Sequence, residues 1–351
     1  MKRISFALLF ALVALTTSLN AQDIHFSQFY LSPLNLNPAM TGVMNCTQRL
    51  TFNHRNQWAP ILRSNSYQTY SFSYDQRIPV GRSDYFGVGG TLWRDVAGKL
   101  NFGQTQFKLS GSYSKQMSGG RGGRGSYLVA GLDVGVQQTG VEFANAQWGT
   151  QHDGKGGFNG AIDPKEASFV GRDNIIFADM AAGVLWFTNI DESNNFYVGA
   201  AYHHLNRANV SFSKDKKEPL YSRFTVHAGG EFELGDKLSL VPNVVFMSQG
   251  KAMQVNPGVS MKFILSKYRN EQQSFQFGVW TRIANKLSQG IHGDALILTT
   301  RFDYNQYTIG FSYDATISSL RKAAPTTGGY EFALMYNICG RERRNVYCPR
   351  F

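Results

Sequence analysis

The chain has 351 residues, with 26 phenylalanines and 17 tyrosines but only 10 prolines, and a formal net charge of +11. No stretch after the N-terminus holds about 18 uninterrupted apolar residues, so the composition excludes a helical membrane protein. The basic balance suits an acidic lipid surface or an acidic partner, and no recognition motif supports nucleic acid.

Lys2 and Arg3, the apolar run Ile4 to Leu15 and the sequence Asn20-Ala21-Gln22 have the three parts of a secretory signal peptide. Cleavage is expected after Ala21, which makes residues 1–21 the signal peptide and the rest an exported protein. Residues 22–47 follow with no period. Their aromatic and apolar content is too high for a free disordered tail. They are read as an extended segment tucked into the barrel or against its rim.

From there the two-residue period of a β-strand dominates. In Ser126–Gln138, Leu128, Ala130, Leu132, Val134 and Val136 form one apolar face, against Val129, Gly131, Asp133, Gly135 and Gln137. The same alternation marks Arg49–Asn56, Tyr67–Arg77, Tyr85–Val96, Thr105–Met117, Asp179–Thr188, Phe196–His204, Ser222–Leu234 and Lys237–Met247. It continues through Ala252–Leu265, Ser274–Ile283, Ala295–Tyr304, Gln306–Ile317 and Tyr330–Ile338. That gives about 14 strands, an even number, as bacterial outer-membrane barrels have.

The links support this count. Gln57–Ser66, Thr139–Ala178, Leu205–Tyr221 and Ser318–Gly329 are long and all odd-numbered, as outer loops should be, while Gly235-Asp236 and Tyr304-Asn305 are tight even-numbered turns. The expected fold is an all-β transmembrane antiparallel barrel over 48–338, with a periplasmic tail over 339–351. It must close on itself, because lipid offers an open sheet edge no hydrogen-bond partners.

Tyr67, Tyr85, Tyr127, Tyr304 and Tyr330 are expected in interfacial belts. A basic side chain facing lipid at mid-bilayer would cost about 2–4 kcal/mol, so Lys108, Arg223 and Arg282 should face the lumen or lie near an interface. His227, Glu231 and Glu233 on the wet face of Ser222–Leu234 would need no partner in a watery lumen.

Catalytic and metal motifs are missing: there is no Gly-x-Ser-x-Gly, His-Glu-x-x-His or Cys-x-x-Cys. His203 and His204 are adjacent, so in a strand they face opposite sides and cannot share a metal. His152, Asp153 and His292 lie toward the outer loops without a telling serine or second carboxylate, and the long loop Trp148–Asn159 is a mobile outer loop unless a ligand or ion orders it. The expectation is no enzyme, no metal and no cofactor. The tract Gly119–Gly125 is read as a basic hairpin turn. Cys46, Cys339 and Cys348 lie at the two ends of the exported chain. First and last strands are neighbours in a closed barrel, so a bridge from Cys46 to Cys339 or to Cys348 would staple the closure.

Asp23-Ile24-His25-Phe26-Ser27-Gln28-Phe29-Tyr30 and Pro33-Leu34-Asn35-Leu36-Asn37-Pro38-Ala39-Met40-Thr41-Gly42 resemble the opening of the PorP/SprF family of the Bacteroidota type IX secretion system. Gly310-Phe311-Ser312-Tyr313-Asp314, Gly328-Gly329-Tyr330-Glu331 and Cys348-Pro349-Arg350-Phe351 are similar to the same family. The resemblance implies an outer-membrane barrel without enzymatic activity. Some members belong to the secretion machine and contact its periplasmic ring complex. Others serve secretion, surface attachment and gliding movement of adhesins. It favours a barrel in outer-membrane lipid that receives or anchors a secreted cargo protein, or its C-terminal domain, and couples it to periplasmic type IX components. A core secretion-machine component and a diffusion channel are the alternatives. Phe26, Phe29, Tyr30, Pro33, Asn35, Asn37 and Pro38 are the expected partner-binding residues.

Overall fold

Each stretch of alternating sequence sorts its side chains into two environments. In the computed structural model Leu128, Leu132, Val134 and Val136 lie on the exposed outer wall, while Val129, Asp133 and Gln137 are buried inside. The structure describes residues 23–339 except 82, 120–123, 144–145, 155–156, 164–172, 192, 214–215, 269–270, 286–289 and 319–327. The signal-peptide reading, the centre of the Gly119–Gly125 tract and all but the first residue of the C-terminal tail lie outside these residues.

Among the described residues there are fourteen strands. They are β1 Gln48–Gln57, β2 Tyr67–Val80, β3 Asp84–Ala97, β4 Phe102–Gly119, β5 Gly125–Gly140, β6 Asn174–Asn189 and β7 Asn195–His203. The second half comprises β8 Arg223–Gly235, β9 Leu238–Gln249, β10 Ala252–Tyr268, β11 Glu271–Asn285, β12 Ile291–Tyr304, β13 Tyr307–Thr316 and β14 Gly328–Ile338. Every strand pairs antiparallel with its chain neighbours, and β1 pairs with β14 along its whole length, from Gln48↔Ile338 to Gln57↔Gly329. Closure leaves no edge, which is what a spanning sheet requires. No helix among the described residues is long and apolar enough to cross a membrane.

The long loops all lie at one end, beside the short links 98–101 and 250–251, and every link at the other end is short. By the usual rule the long-loop end is the outer one. Tight turns at the other end use left-handed backbone: Asn305, between β12 and β13, has φ 52°, a conformation that asparagine tolerates better than most residues. At that end the β14 terminus is tied to the start of β1 by a Cys46–Cys339 disulfide, with Cα atoms 4.3 Å apart.

Lys108, Arg223 and Arg282 all turn inward. The tyrosines divide differently from the interfacial-belt expectation. Tyr67, Tyr304 and Tyr330 are exposed on the outer wall, but Tyr85 and Tyr127 are buried in the lumen. Both share the parity of the inward-facing residues of their strands. There Tyr127 stacks on Phe187 (centroids 5.0 Å) and meets Tyr85 at a tilt (5.9 Å), and the three fill the short-turn half of the lumen from the wall itself.

Candidate functional site

The lumen is occupied by the chain's own N-terminal segment. Residues 23–45 run from the long-loop end, where Asp23 meets His204, to the short-turn end, where Cys46 leads into β1. The segment is not extended. It winds through three single turns, Phe29–Leu31, Pro33–Leu36 and Pro38–Met40. Pro33 and Pro38 each open a turn, where a proline's missing N–H costs nothing. Asn37 caps the last by accepting from the Ala39 amide at 2.9 Å. Short turns suit a filler because they pack more side chain into each ångström of lumen than a strand does.

The barrel wall is shaped around it. Glycine replaces side chains where the segment passes: a Cβ on Gly131 would lie 2.5 Å from the Ala39 backbone, and one on Gly87 2.1 Å from the Thr41 carbonyl oxygen. Beside Gly183 and Gly199, Asn37 Nδ2 donates to the Val184 carbonyl (3.0 Å), the Ala200 carbonyl (3.3 Å) and His227 Nε2 (3.0 Å). Phe29 and Tyr30 pack on Trp280, Tyr30 stacked at 5.5 Å and Phe29 edge-on at 5.6 Å.

Three polar clusters hold the segment along its length. Toward the long-loop end Asp23 Oδ2 lies 2.5 Å from His204 Nε2, whose Nδ1 is 2.7 Å from Asp179, and Arg223 reaches Asp23 at 3.4 Å. Burial alone would lower the His204 pKa, but the Asp23 and Asp179 carboxylates outweigh it and raise it to about 9. Burial likewise acts to raise Asp23, yet His204 and Arg223 hold its carboxyl well below the usual range. The cluster is therefore charged at neutral pH.

In the second cluster Glu331 accepts the backbone N–H groups of Ser27 (2.7 Å) and Gln28 (3.0 Å), one on each oxygen, and pairs with Arg55 at 2.8 Å. Asp314 accepts from the Ser27 hydroxyl at 2.7 Å and pairs with Arg282 and, at 3.4 Å, with Arg55. Four strands thus contribute two guanidinium groups and two carboxylates, and each charge has a partner, as burial demands. The third cluster lies near the short-turn end. Asp75 accepts the Gly42 amide and Arg49, both at 2.7 Å, and Arg49 also donates to the Met40 carbonyl at 3.1 Å.

The predicted partner-binding residues are thereby placed. Phe26, Phe29, Tyr30, Pro33, Asn37 and Pro38 are buried in the lumen, and Asn35 is half-buried. They meet the wall, and the short-turn mouth is lined instead by Val43, Met44 and Asn45. His227 and Glu231 face inward but do have partners: Asn37 meets His227, and Lys262 meets Glu231 at 2.7 Å. His227 thus faces the segment itself, whereas Glu231 lines the open part of the lumen at the short-turn mouth.

His203 and His204 diverge, the first 3.3 Å from the Leu36 carbonyl oxygen and the second between two aspartates. His152 bridges to Phe158 in the outer loop, where Asp153 accepts the Gly157 amide at 2.7 Å. No group of three or more His, Cys, Asp or Glu suited to a metal occurs among the described residues.

A closed antiparallel barrel with an apolar outer wall and a lumen filled by its own N-terminal segment is an outer-membrane barrel protein. The family model for the type IX secretion system membrane protein PorP/SprF matches residues 18–336. The chain belongs to that family. No curated protein matches it. Similar solved structures include the CymD monoaromatic hydrocarbon channel, at 12% identity and TM-score 0.47, covering 89% of this chain and 94% of that one. The Pseudomonas putida toluene transporter TodX is similar at 9% identity and TM-score 0.42, covering 90% and 93%. The Ralstonia pickettii toluene transporter TbuX matches at 12% identity and TM-score 0.42, covering 86% and 92%.

Proposed function

We propose that this chain is a non-enzymatic scaffold of the type IX secretion system, which receives or anchors a secreted, adhesin-like surface protein and couples it to the secretion and gliding machinery. The observation that supports this reading is the filled lumen. A pore for diffusing solutes has no use for a segment held by three buried polar clusters and by glycines matched to its backbone. A rigid, stoppered cylinder instead presents two surfaces on opposite sides of the membrane, the long loops outside and the short-turn mouth inside. On this reading the seven N-terminal residues named above act by setting the shape of both ends. The lipid-facing wall keeps the protein in the outer membrane, and secreted cargo and periplasmic type IX components are its partners.

The test is deletion of Gln22–Thr41 in the native cell. Display of surface cargo should be lost while a heat-modifiable barrel remains in the outer membrane, and normal display after that deletion would contradict the proposal. Co-purification from native membranes, read by mass spectrometry, separates an anchor from a core component. An anchor brings down cargo, whereas a core component brings down the ring complex alone.

A further inference from the structure

The N-terminal segment stops short of the barrel's inner mouth. Beyond Val43 and Met44 a cavity of about 680 Å³ remains, open at the short-turn end, a size within the usual range for a bound ligand. Ligand pockets are mostly apolar, but half of the residues lining this one carry a hydroxyl or a carboxamide. Two of those groups have unmet hydrogen-bonding capacity. Ser239 Oγ and Asn195 Oδ1 have no hydrogen-bond partner, although these residues are only 1% and 8% exposed. Buried polar atoms are rarely left so. Asn195 on β7 lies opposite Glu231 on β8, and Ser239 on β9 lies opposite Lys262 on β10, so both groups stand on one patch of four adjacent strands.

The charges on the same wall are already engaged. Among the described residues three cations and three anions line the cavity. Lys262 holds both oxygens of Glu231, at 2.7 and 2.9 Å. Asp303 accepts from Arg301 at 3.0 Å, from the Thr308 hydroxyl at 2.6 Å and from the Ser274 hydroxyl at 2.9 Å. Arg49 pairs with Asp75 at 2.7 Å, and Asp191 accepts the Ser193 and Asn194 amides. A charged ligand therefore finds no open counter-charge, and breaking a buried pair to make one is costly. A protein segment would seat by burying large apolar anchors, yet apart from the Cys46–Cys339 bridge only Val43, Met44, Ile264 and Met335 are apolar here. What the wall lacks is a neutral group that both donates and accepts. A ligand hydroxyl has one donor and two acceptor lone pairs, which suits the Ser239 hydroxyl and the Asn195 oxygen alike.

We propose that this mouth binds a neutral, polyhydroxylated ligand, a sugar chain, whose hydroxyls meet Ser239 and Asn195. The site is independent of the secretion role, and testing it needs no secretion partner. The full-length protein is prepared in a sugar-free detergent, since an alkyl glycoside would compete. It is titrated with maltotriose and with the N-acetylglucosamine trisaccharide, and binding is read by calorimetry and saturation-transfer NMR. At least one should bind with a Kd of about millimolar or tighter, and the ratio of the two tells a plain sugar chain from an amino-sugar one. Asn195→Leu and Ser239→Ala should each weaken that binding about tenfold, the loss of one hydrogen bond to a neutral group. Trigalacturonate, a charged trisaccharide, should bind at least about tenfold more weakly than the neutral ones. Retained heat-modifiable mobility reports folding in both variants. No binding of either neutral sugar at about 10 mM, unchanged affinity in either folded variant, equal affinity for the charged trisaccharide, or tighter binding of a capped, uncharged pentapeptide would each overturn the proposal.

Discussion

Replacing Glu331 by glutamine should loosen the segment without touching it. The carboxylate serves two backbone donors, Ser27 N–H at 2.7 Å and Gln28 N–H at 3.0 Å, together with Arg55 at 2.8 Å. An amide of the same shape keeps one acceptor oxygen and turns an NH₂ toward the remaining donors. The site then loses at least one charge-assisted bond, worth about 1.5–3 kcal/mol. Arg55 also loses one of its two carboxylates, and breaking a buried pair outright costs about 3–5 kcal/mol. Asp314 remains 3.4 Å from Arg55, so the lower end of that range applies. About 3 kcal/mol is two decades in a local opening equilibrium. Hydrogen exchange of a peptide spanning Ser27 and Gln28 should therefore accelerate about 100-fold, while exchange in β4 and β5 stays as it was. Unchanged exchange at Ser27 and Gln28 in a folded barrel would refute the claim that Glu331 holds the segment.

The Asp23–His204 contact should weaken in alkali. Because the His204 pKa is raised to about 9, its contribution is fully present below the ordinary histidine range of about 6.5 and is lost as pH rises through about 9. Exchange at residues 23–26 should rise over that interval, and His204→Gln should abolish the dependence. In acid, the lowered Asp23 pKa keeps its contribution until pH falls below the usual carboxylate range. Gly131→Val should push on the Ala39 backbone and destabilise the filled barrel by about 1–3 kcal/mol through overpacking, measured as a lower unfolding midpoint. The substitution should cost little once residues 22–41 are deleted. Cys46→Ser with Cys339→Ser should lower the temperature at which the heat-modified gel shift occurs, because a bridge spanning 293 residues restricts the unfolded chain. The barrel itself should still close, since β1 and β14 pair without it.

Alternation exposed the wall to sequence reading: Leu128 through Val136 and Tyr307 through Tyr313 each sort cleanly by parity, and the long links all fall on one side of the count. The aromatic, proline-punctuated start also read as something packed against the barrel. Its contacts were not legible, because they join residues far apart in the chain. Arg55 and Glu331 are 276 positions apart, and Asp23 and His204 are 181 apart. One signal was available. Arg55, Arg282, Asp314 and Glu331 all fall on inward-facing positions near the long-loop ends of their strands, so four opposite charges share one height. The close approaches at Gly131 and Gly87 leave no mark in the sequence, since nothing local tells a close approach from a flexible spot. Nearness to strand ends places Tyr85 and Tyr127 in interfacial belts, whereas the parity of their strands puts them inside.

The central claim is that the N-terminal segment closes the barrel, and planar-bilayer conductance tests it most directly. The full-length protein should be nearly silent, and the variant lacking residues 22–41 should conduct steadily through the emptied lumen. Steady conductance from the full-length protein, or silence from a folded deletion variant, would contradict it.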